Sequence, residues 1–461
     1  MWKKLAIGFG VLILVLSIVV VVGIFWLGRD ADKELAAAKQ RLIDMGAPMT
    51  IEELLPPPVP EDENAAPLYL ELIAMEEENP AIAEAEEEIE ALTEDYDWGE
   101  VFSLSLVEEQ FDELEQILNR EELAEYFALL EKITDRSYFQ PDWDYNKGPS
   151  LLVPEVGTQM TATRLLLAKA VLDLRQNEEA NAAKYAEQAL QIANHANQSY
   201  ILVSMLTAAA IRNSVFVFIE SFDQASDNGL PLELIESWAS NKMVDNWVNA
   251  LDMERLGMGG TIFPAILDGD DRQRQSLFGE DEIGLSKISS NPGMRWFFVY
   301  DYAHYLNSMA DSREFALLPY CGSIDDERRV SEASSMEAAE KYRIVSRIIL
   351  MPTAMVRTNL VKADSKQLLT LTGLALSAYN KDHDKYPNSL GELVPDYLDE
   401  IPVDPLTGGG FVYRPEGEGY LLYGLGPNRV DDGGTTNEDG EADDEEGDLL
   451  WKGRGSVFGG L

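Results

Sequence analysis

The chain has 461 residues, with 82 acidic against 36 basic side chains and a formal net charge of −46. Such an excess repels nucleic acid and anionic lipid headgroups, and no long basic run offsets it, so cations, basic peptides and basic protein surfaces are the natural counterparts. Apolar residues reach 46%, an ordinary globular share, and the single cysteine, Cys321, excludes an internal disulfide and a cysteine-rich zinc cage.

Leu5–Leu27 carries no charge over LAIGFGVLILVLSIVVVVGIFWL, and at about 1.5 Å per residue it is long enough to cross a hydrocarbon core about 30 Å thick. Trp2 and Trp26 lie at its two ends, and Lys3 and Lys4 precede it, which favours a cytoplasmic N-terminus. The apolar run is too long for a cleaved signal and no A-x-A site closes it. The expectation is a single-pass anchor (residues 1–28) in the inner membrane, with a periplasmic or otherwise extracytoplasmic body. A short amphipathic helix over Asp30–Met45 follows, with Leu35, Ala38, Leu42 and Met45 on one stripe. Pro56-Pro57-Pro58-Val59-Pro60 then reads as a stiff extended spacer, so residues 29–60 are expected to form a stalk.

Helical patterns dominate residues 61–350. Glu78–Glu90 reads as a solvated helix face. Thr158–Leu174 and Glu178–Ala196 form a helical hairpin across Arg175-Gln176-Asn177, of the tetratricopeptide type but without a recurring period. Tyr200–Ile219 is apolar nearly all round and predicts a central buried helix, with Arg212 and Asn213 arguing against a second membrane span. Gly257–Asn291, rich in Gly, Asp and Ser, predicts a long surface loop broken by short helices. GAPMTIEELLPPPVPEDENAAPLY (Gly46–Tyr69), SYFQPDWDYNKGPSLLVPEVGTQM and RLLLAKAVLDLRQNEEANAA are similar to stretches of exported bacterial proteins of unassigned biochemistry. That likeness implies architecture rather than activity.

Residues 351–461 change texture. A helix from Pro352 runs through VRTNLVKADSKQLLTLTGLALSAYNKDH with Leu360, Leu368, Leu371, Ala375 and Tyr379 on its apolar side. Tyr386-Pro387, Ser389–Pro395 and Pro402-Val403-Asp404-Pro405 follow, and then two short strands, Phe411–Arg414 and Gly419–Gly426, flank a turn. This order resembles the globular part of the major pseudopilin of type II secretion systems, down to a YP turn, a PxDP turn, a hairpin, and LYxLGPN leading into an acidic Gly-rich loop. The resemblance implies a small α+β module appended to a mainly α chain. It also implies a Ca²⁺ site in the acidic loop. Carried over by motif, Leu425 offers a backbone carbonyl, Asn428 and Glu446 stand where the family has aspartates, and Asp448 matches outright; Asp431 and Asp432 lie in the intervening loop. Hard calcium takes several oxygens from a flexible loop. The N-terminus departs from that family: the membrane span holds no acid, and some 300 residues separate it from the module, so pseudopilus insertion is not expected.

The three histidines, His195, His304 and His383, lie far apart without H-E-x-x-H spacing, and no G-x-S-x-G elbow is present. The expectation is therefore a non-catalytic envelope protein that binds or scaffolds other envelope proteins or basic peptides, linked to secretion or surface assembly. The alternative is a carboxylate-dependent glycan hydrolase, for which Asp142-Trp143-Asp144-Tyr145 is the most suggestive cluster, since it joins two acids to two rings able to stack on sugars.

Overall fold

The computed structural model describes residues 2–92, 108–226, 229–230, 242–269, 291–435 and 447–459. The first helix, α1 (Trp2–Asp44), is one unbroken rod of 43 residues. The separate helix expected over Asp30–Met45 is its C-terminal half. Gly28 is the glycine nearest the join, and one glycine costs only about 1 kcal/mol. The two halves live differently. Leu14 is 60% and Phe25 74% exposed, whereas Ala31, Ala38 and Leu42 are buried.

Helix α2 (Ile51–Leu54) follows, capped by the Thr50 hydroxyl, which accepts from Glu53 N. The proline-rich stretch, expected as a projecting stalk, lies along the body. The Gln140 side chain donates to the carbonyls of Pro56 and Pro57, each at 3.2 Å, and accepts from Val59 N at 2.9 Å. Prolines lack a donor but keep their carbonyls, and a side-chain amide can use them.

Helices α3 (Ala66–Glu78), α4 (Pro80–Ala91), α5 (Glu108–Leu118) and α6 (Glu121–Thr134) pack around the hairpin of α7 (Glu155–Arg175) and α8 (Glu179–Asn197). Asn177, at φ 63°, turns the chain between the hairpin's helices, a position asparagine tolerates. The central helix α9 (Leu202–Ala225) packs on α8, as its all-round apolar sequence requires.

Of the long surface loop broken by short helices that the sequence predicts from Gly257, the stretch Gly257–Asp268 is helical throughout. Helix α10 (Trp247–Glu254) runs through a π-helical turn (Arg255–Gly259) into α11 (Gly260–Asp268). Ile262, Phe263 and Ile266 supply the buried apolar face that the glycine content obscured. Gly259 has a packing reason: a Cβ there would stand 2.0 Å from the Tyr305 ring. Residues 270–290 of that expected loop lie outside the described residues.

Helix α12 (Arg295–Ala316) runs parallel to the second half of α1. Its ties are Arg295 to Asp32 at 3.2 Å, Tyr300 Oη to Asp30 at 2.6 Å and Arg41 to Asp311 at 2.7 Å. Helices α13 (Tyr320–Glu340) and α14 (Ile344–Ile349) lead to α15 (Thr353–His383). Leu360, Leu371, Ala375 and Tyr379 are buried as the sequence predicts, but so are Leu369, Leu374 and Leu376, so α15 is enclosed on more than one face. It packs on α9, and one apolar core runs from Ala38 to Trp451 without a break at residue 350.

Strands β1 (Val412–Glu416) and β2 (Gly419–Gly424) form an antiparallel hairpin turning at Gly417, φ 62°. Strand β3 (Leu449–Leu450) pairs with β2, leaving Pro415 on the edge strand, where its missing donor does least harm.

Among the described residues, three helical stretches are long and apolar enough to cross a membrane: Leu14–Asp44, Leu202–Ala225 and Ile344–His383. Only 6% of the apolar window is buried in the first, against 61% and 56% in the others. Arg212 on α9 and Asp364 on α15 approach to 3.7 Å inside the body, a polar contact typical of a protein core.

Candidate functional site

The acidic loop begins where β2 ends. Arg429, at φ 57°, closes a tight turn by donating its backbone N–H to Gly426 O at 2.9 Å. Its guanidinium reaches Asp325 on α13, 2.6 Å to Oδ2, and the Cys321 carbonyl at 3.2 Å, which pins the loop's start to the helical body. Asn428 accepts from Val430 N at 2.8 Å through Oδ1, and its amide donates to Asp432 at 3.0 Å. Asp431 accepts from Tyr423 Oη at 2.7 Å and from Gly433 N at 3.0 Å.

Asp448, 3% exposed, closes the other end just before β3. Its Oδ2 accepts from Gly434 N at 2.8 Å, while Oδ1 is buried without a hydrogen bond. Burial, and then the charges of Asp432 and Asp431, push its carboxyl above the usual range. Asp431, Asp432 and Asp448 are thus near enough to feel one another. Glu446 lies outside the described residues. Among the described residues, no group of three or more His, Cys, Asp or Glu side chains is arranged to hold a metal. The orphaned Oδ1 feels the charges of Asp432 and Asp431, and a cation placed there would supply the missing partner and offset the repulsion. Sequence reasoning missed Tyr423 and Gly434, which position Asp431 and Asp448. The signal for Tyr423 was its place on β2, two residues before Leu425.

The Asp142–Tyr145 cluster is built into the frame. The Trp143 indole donates to Glu155 at 3.1 Å, and its ring meets Phe139 and Tyr145 edge-on at 6.0 and 5.9 Å. Asp144 caps the following turn through Asn146 N at 3.2 Å. The aromatic rings therefore pack on each other.

The histidines serve packing. His195 is fully buried between Tyr69 Oη at 3.2 Å and the Arg136 carbonyl at 2.9 Å, and burial pushes it down to about 4. His304 lies 3.3 Å from Ser334 and is likewise lowered by burial. The His383 ring lies 4.3 Å from that of Tyr379.

Buried ions hold the helices in register. Arg357 meets Glu327 at 2.7 Å, joining α15 to α13. Arg212 donates to Gln367 at 2.9 Å and Asn194 at 3.0 Å, while Asp364 accepts from Met243 N and Val244 N at 2.7 and 3.2 Å. Burial outweighs the help of Arg212 and raises Asp364 to about 6.

No family model matches the chain, and neither comparison with characterised proteins nor comparison with solved structures returned a match.

Proposed function

We propose that this chain is a non-catalytic binding or scaffold protein of the cell envelope, held in the inner membrane by Leu5–Leu27 with its N-terminus cytoplasmic and its body outside. The observation that carries the reading is the character of α1. One rod passes from residues whose described apolar side chains are largely exposed to residues buried against α12. A helix so fixed at one end gives a tether without slack, which suits presenting a surface at a set height above the bilayer. Proteolysis of intact spheroplasts tests it: the body is degraded and only an N-terminal fragment survives. A fully protected body overturns the topology.

The pseudopilin-like order of turns in residues 351–461 supports a link to secretion or surface assembly, and the loop chemistry supports Ca²⁺ as a structural ion. Leu425 O, Asn428, Asp431, Asp432, Glu446 and Asp448 are the proposed ligands. The full chain melts higher in millimolar calcium than in chelator, and Asp448→Ala removes that difference. Equal melting, with no calorimetric signal for calcium, overturns the ion site alone. The purified chain is expected to leave glycan, peptide and ester substrates intact. Turnover lost on Asp142→Asn or Asp144→Asn overturns the non-catalytic reading in favour of a hydrolase.

A further inference from the structure

Where α10 gives way to the π-helical turn, the body opens into a pocket of ≈ 230 Å³. Tyr145, Tyr200, Val203, Met253, Glu254 and Met258 line it. Its walls come from four segments: the short turn after Asp144, the α8–α9 connection, the end of α10 and the π turn itself. Two backbone features shape it. The π turn starts directly after Glu254, and such turns insert an extra residue that pushes side chains out of helical register. Tyr200 sits at φ 58°, a left-handed conformation that a bulky residue keeps only when its surroundings impose it.

The lining is apolar and aromatic apart from one acid. Among the described residues Glu254 has no hydrogen bond or ion pair for its carboxylate, and desolvation alone pushes it up to about 7. Several buried acids of the body meet a partner through at least one oxygen: Asp252 meets Arg255 and Arg313, Glu327 meets Arg357, Glu220 meets Lys366, and Asp301 meets Ser346 and two backbone N–H groups. A partly desolvated carboxylate without a partner is costly to keep, and an arriving cation removes that cost.

We propose that this pocket is a binding site for a small organic ammonium, a primary amine carrying one aromatic ring on a short alkyl arm, with Glu254 taking the ammonium. A dry cavity of about 150 Å³ accommodates a benzene ring. The space here therefore takes a ring among Met253, Met258 and Val203 and leaves room for a two-carbon arm to reach the acid. The charged head gains a charge-assisted hydrogen bond from the carboxylate, and Tyr145 and Tyr200 in the same lining offer aromatic surface to it. A net charge of −46 also concentrates small cations near the surface before any contact is made. The pocket is distinct from the acidic loop, and its occupancy does not depend on how the chain is anchored.

The test uses the full chain in lipid nanodiscs at pH 8, where Glu254 is ionised and an alkylamine is protonated. Calorimetric titration with 2-phenylethylamine gives saturable one-site binding. The uncharged analogue 2-phenylethanol, which keeps the two-carbon arm, binds at least tenfold more weakly, and Glu254→Gln weakens the amine by a similar factor while leaving the alcohol unchanged. Val203 is 46% exposed, so Val203→Trp can fill the pocket without disturbing the core, and it abolishes binding of both. Amine and alcohol binding equally well, amine affinity untouched by Glu254→Gln, or no saturable binding by the amine would each overturn the proposal.

Discussion

On one face of α10, Asp252 accepts from Arg255 and Arg313 at 2.9 Å each, and those arginines reach on to the carbonyls of Pro48 and Met45. On the opposite face, two residues along, Glu254 looks into a pocket with no cation to meet it. Both groups are acids on one helix, about 200° apart by helical geometry. The first joins the end of α1 to α10 and α12 and so transmits the position of the rod to the body. The second has no such task, and its cost to folding is the mark of a group kept for something that arrives from outside. A buried acid thus reveals its role through its partners rather than through its burial.

The largest expected effect lies on the Asp252 face. Asp252→Ala leaves two arginines, one of them almost fully buried and the other nearly so, without their counter-charge, and removing one side of a buried ion pair costs about 3–5 kcal/mol. Chemical denaturation of the full chain reads the loss, and proteolysis near Gly46 accelerates as the joint loosens. A loss below about 1 kcal/mol would break the contrast between the faces.

Next comes the pH dependence of the Glu254 face. Folding raises this carboxyl from 4.5 to about 7, so the folded state holds its proton more tightly than the unfolded one. The stabilisation from the bound proton is complete below 4.5 and is lost as pH rises through 7. Glu254→Gln therefore matches the parent below about pH 4 and exceeds it at pH 8, by up to roughly 3 kcal/mol. Asp223 and Asp364, both raised to about 6 by burial, slope the same way. His195, lowered to about 4, slopes the other way, losing its stabilisation as pH falls from 6.5 through 4. These groups are common to both proteins, so the difference between variant and parent isolates Glu254.

Smaller again is the effect of the turn between the faces. Gly259→Ala drives a methyl into the Tyr305 ring, and overpacking of this kind costs about 1–3 kcal/mol. Gly260→Ala meets nothing nearer than the Arg255 carbonyl at 3.7 Å and is expected to be neutral or slightly stabilising. Equal losses at the two glycines would mean that the π turn is not held by Tyr305.

The α7–α8 hairpin was legible because its leucines and alanines repeat at helical spacing, and the β1–β2 hairpin because Pro415, Gly417 and Gly419 bracket a turn. The central α9 was legible from its composition alone. What stayed hidden depended on distant partners. Gly257–Gly260 reads as a loop until Tyr305, 46 residues from Gly259, is seen to need the missing side chain. Nothing local in Pro56–Pro60 shows that Gln140 will hold it. Asp431 and Asp448 could be grouped only through a family resemblance, since the segment joining them has no periodicity. With 82 acids in the chain, no pattern singles out Glu254, because what distinguishes it is the lack of a partner in space.

The smallest expected change in stability concerns Tyr200. Its left-handed backbone costs a bulky residue of order 1 kcal/mol, whereas asparagine adopts that conformation readily. Tyr200→Asn relieves this strain and at the same time removes half-buried ring surface, at roughly 25 cal/mol per Å² of apolar area. The two effects oppose each other and are similar in size, so the variant melts close to the parent and its stability differs by less than about 1 kcal/mol. Amine binding behaves differently. Loss of the ring removes one aromatic face beside the ammonium, and desolvated cation–π contacts contribute on the order of 1–2 kcal/mol. A five- to thirtyfold weaker titration by 2-phenylethylamine at nearly unchanged melting would show that Tyr200 holds its strained backbone for the pocket. A variant that melts well below the parent and still binds the amine at full strength would assign that ring to the joint between α8 and α9 instead.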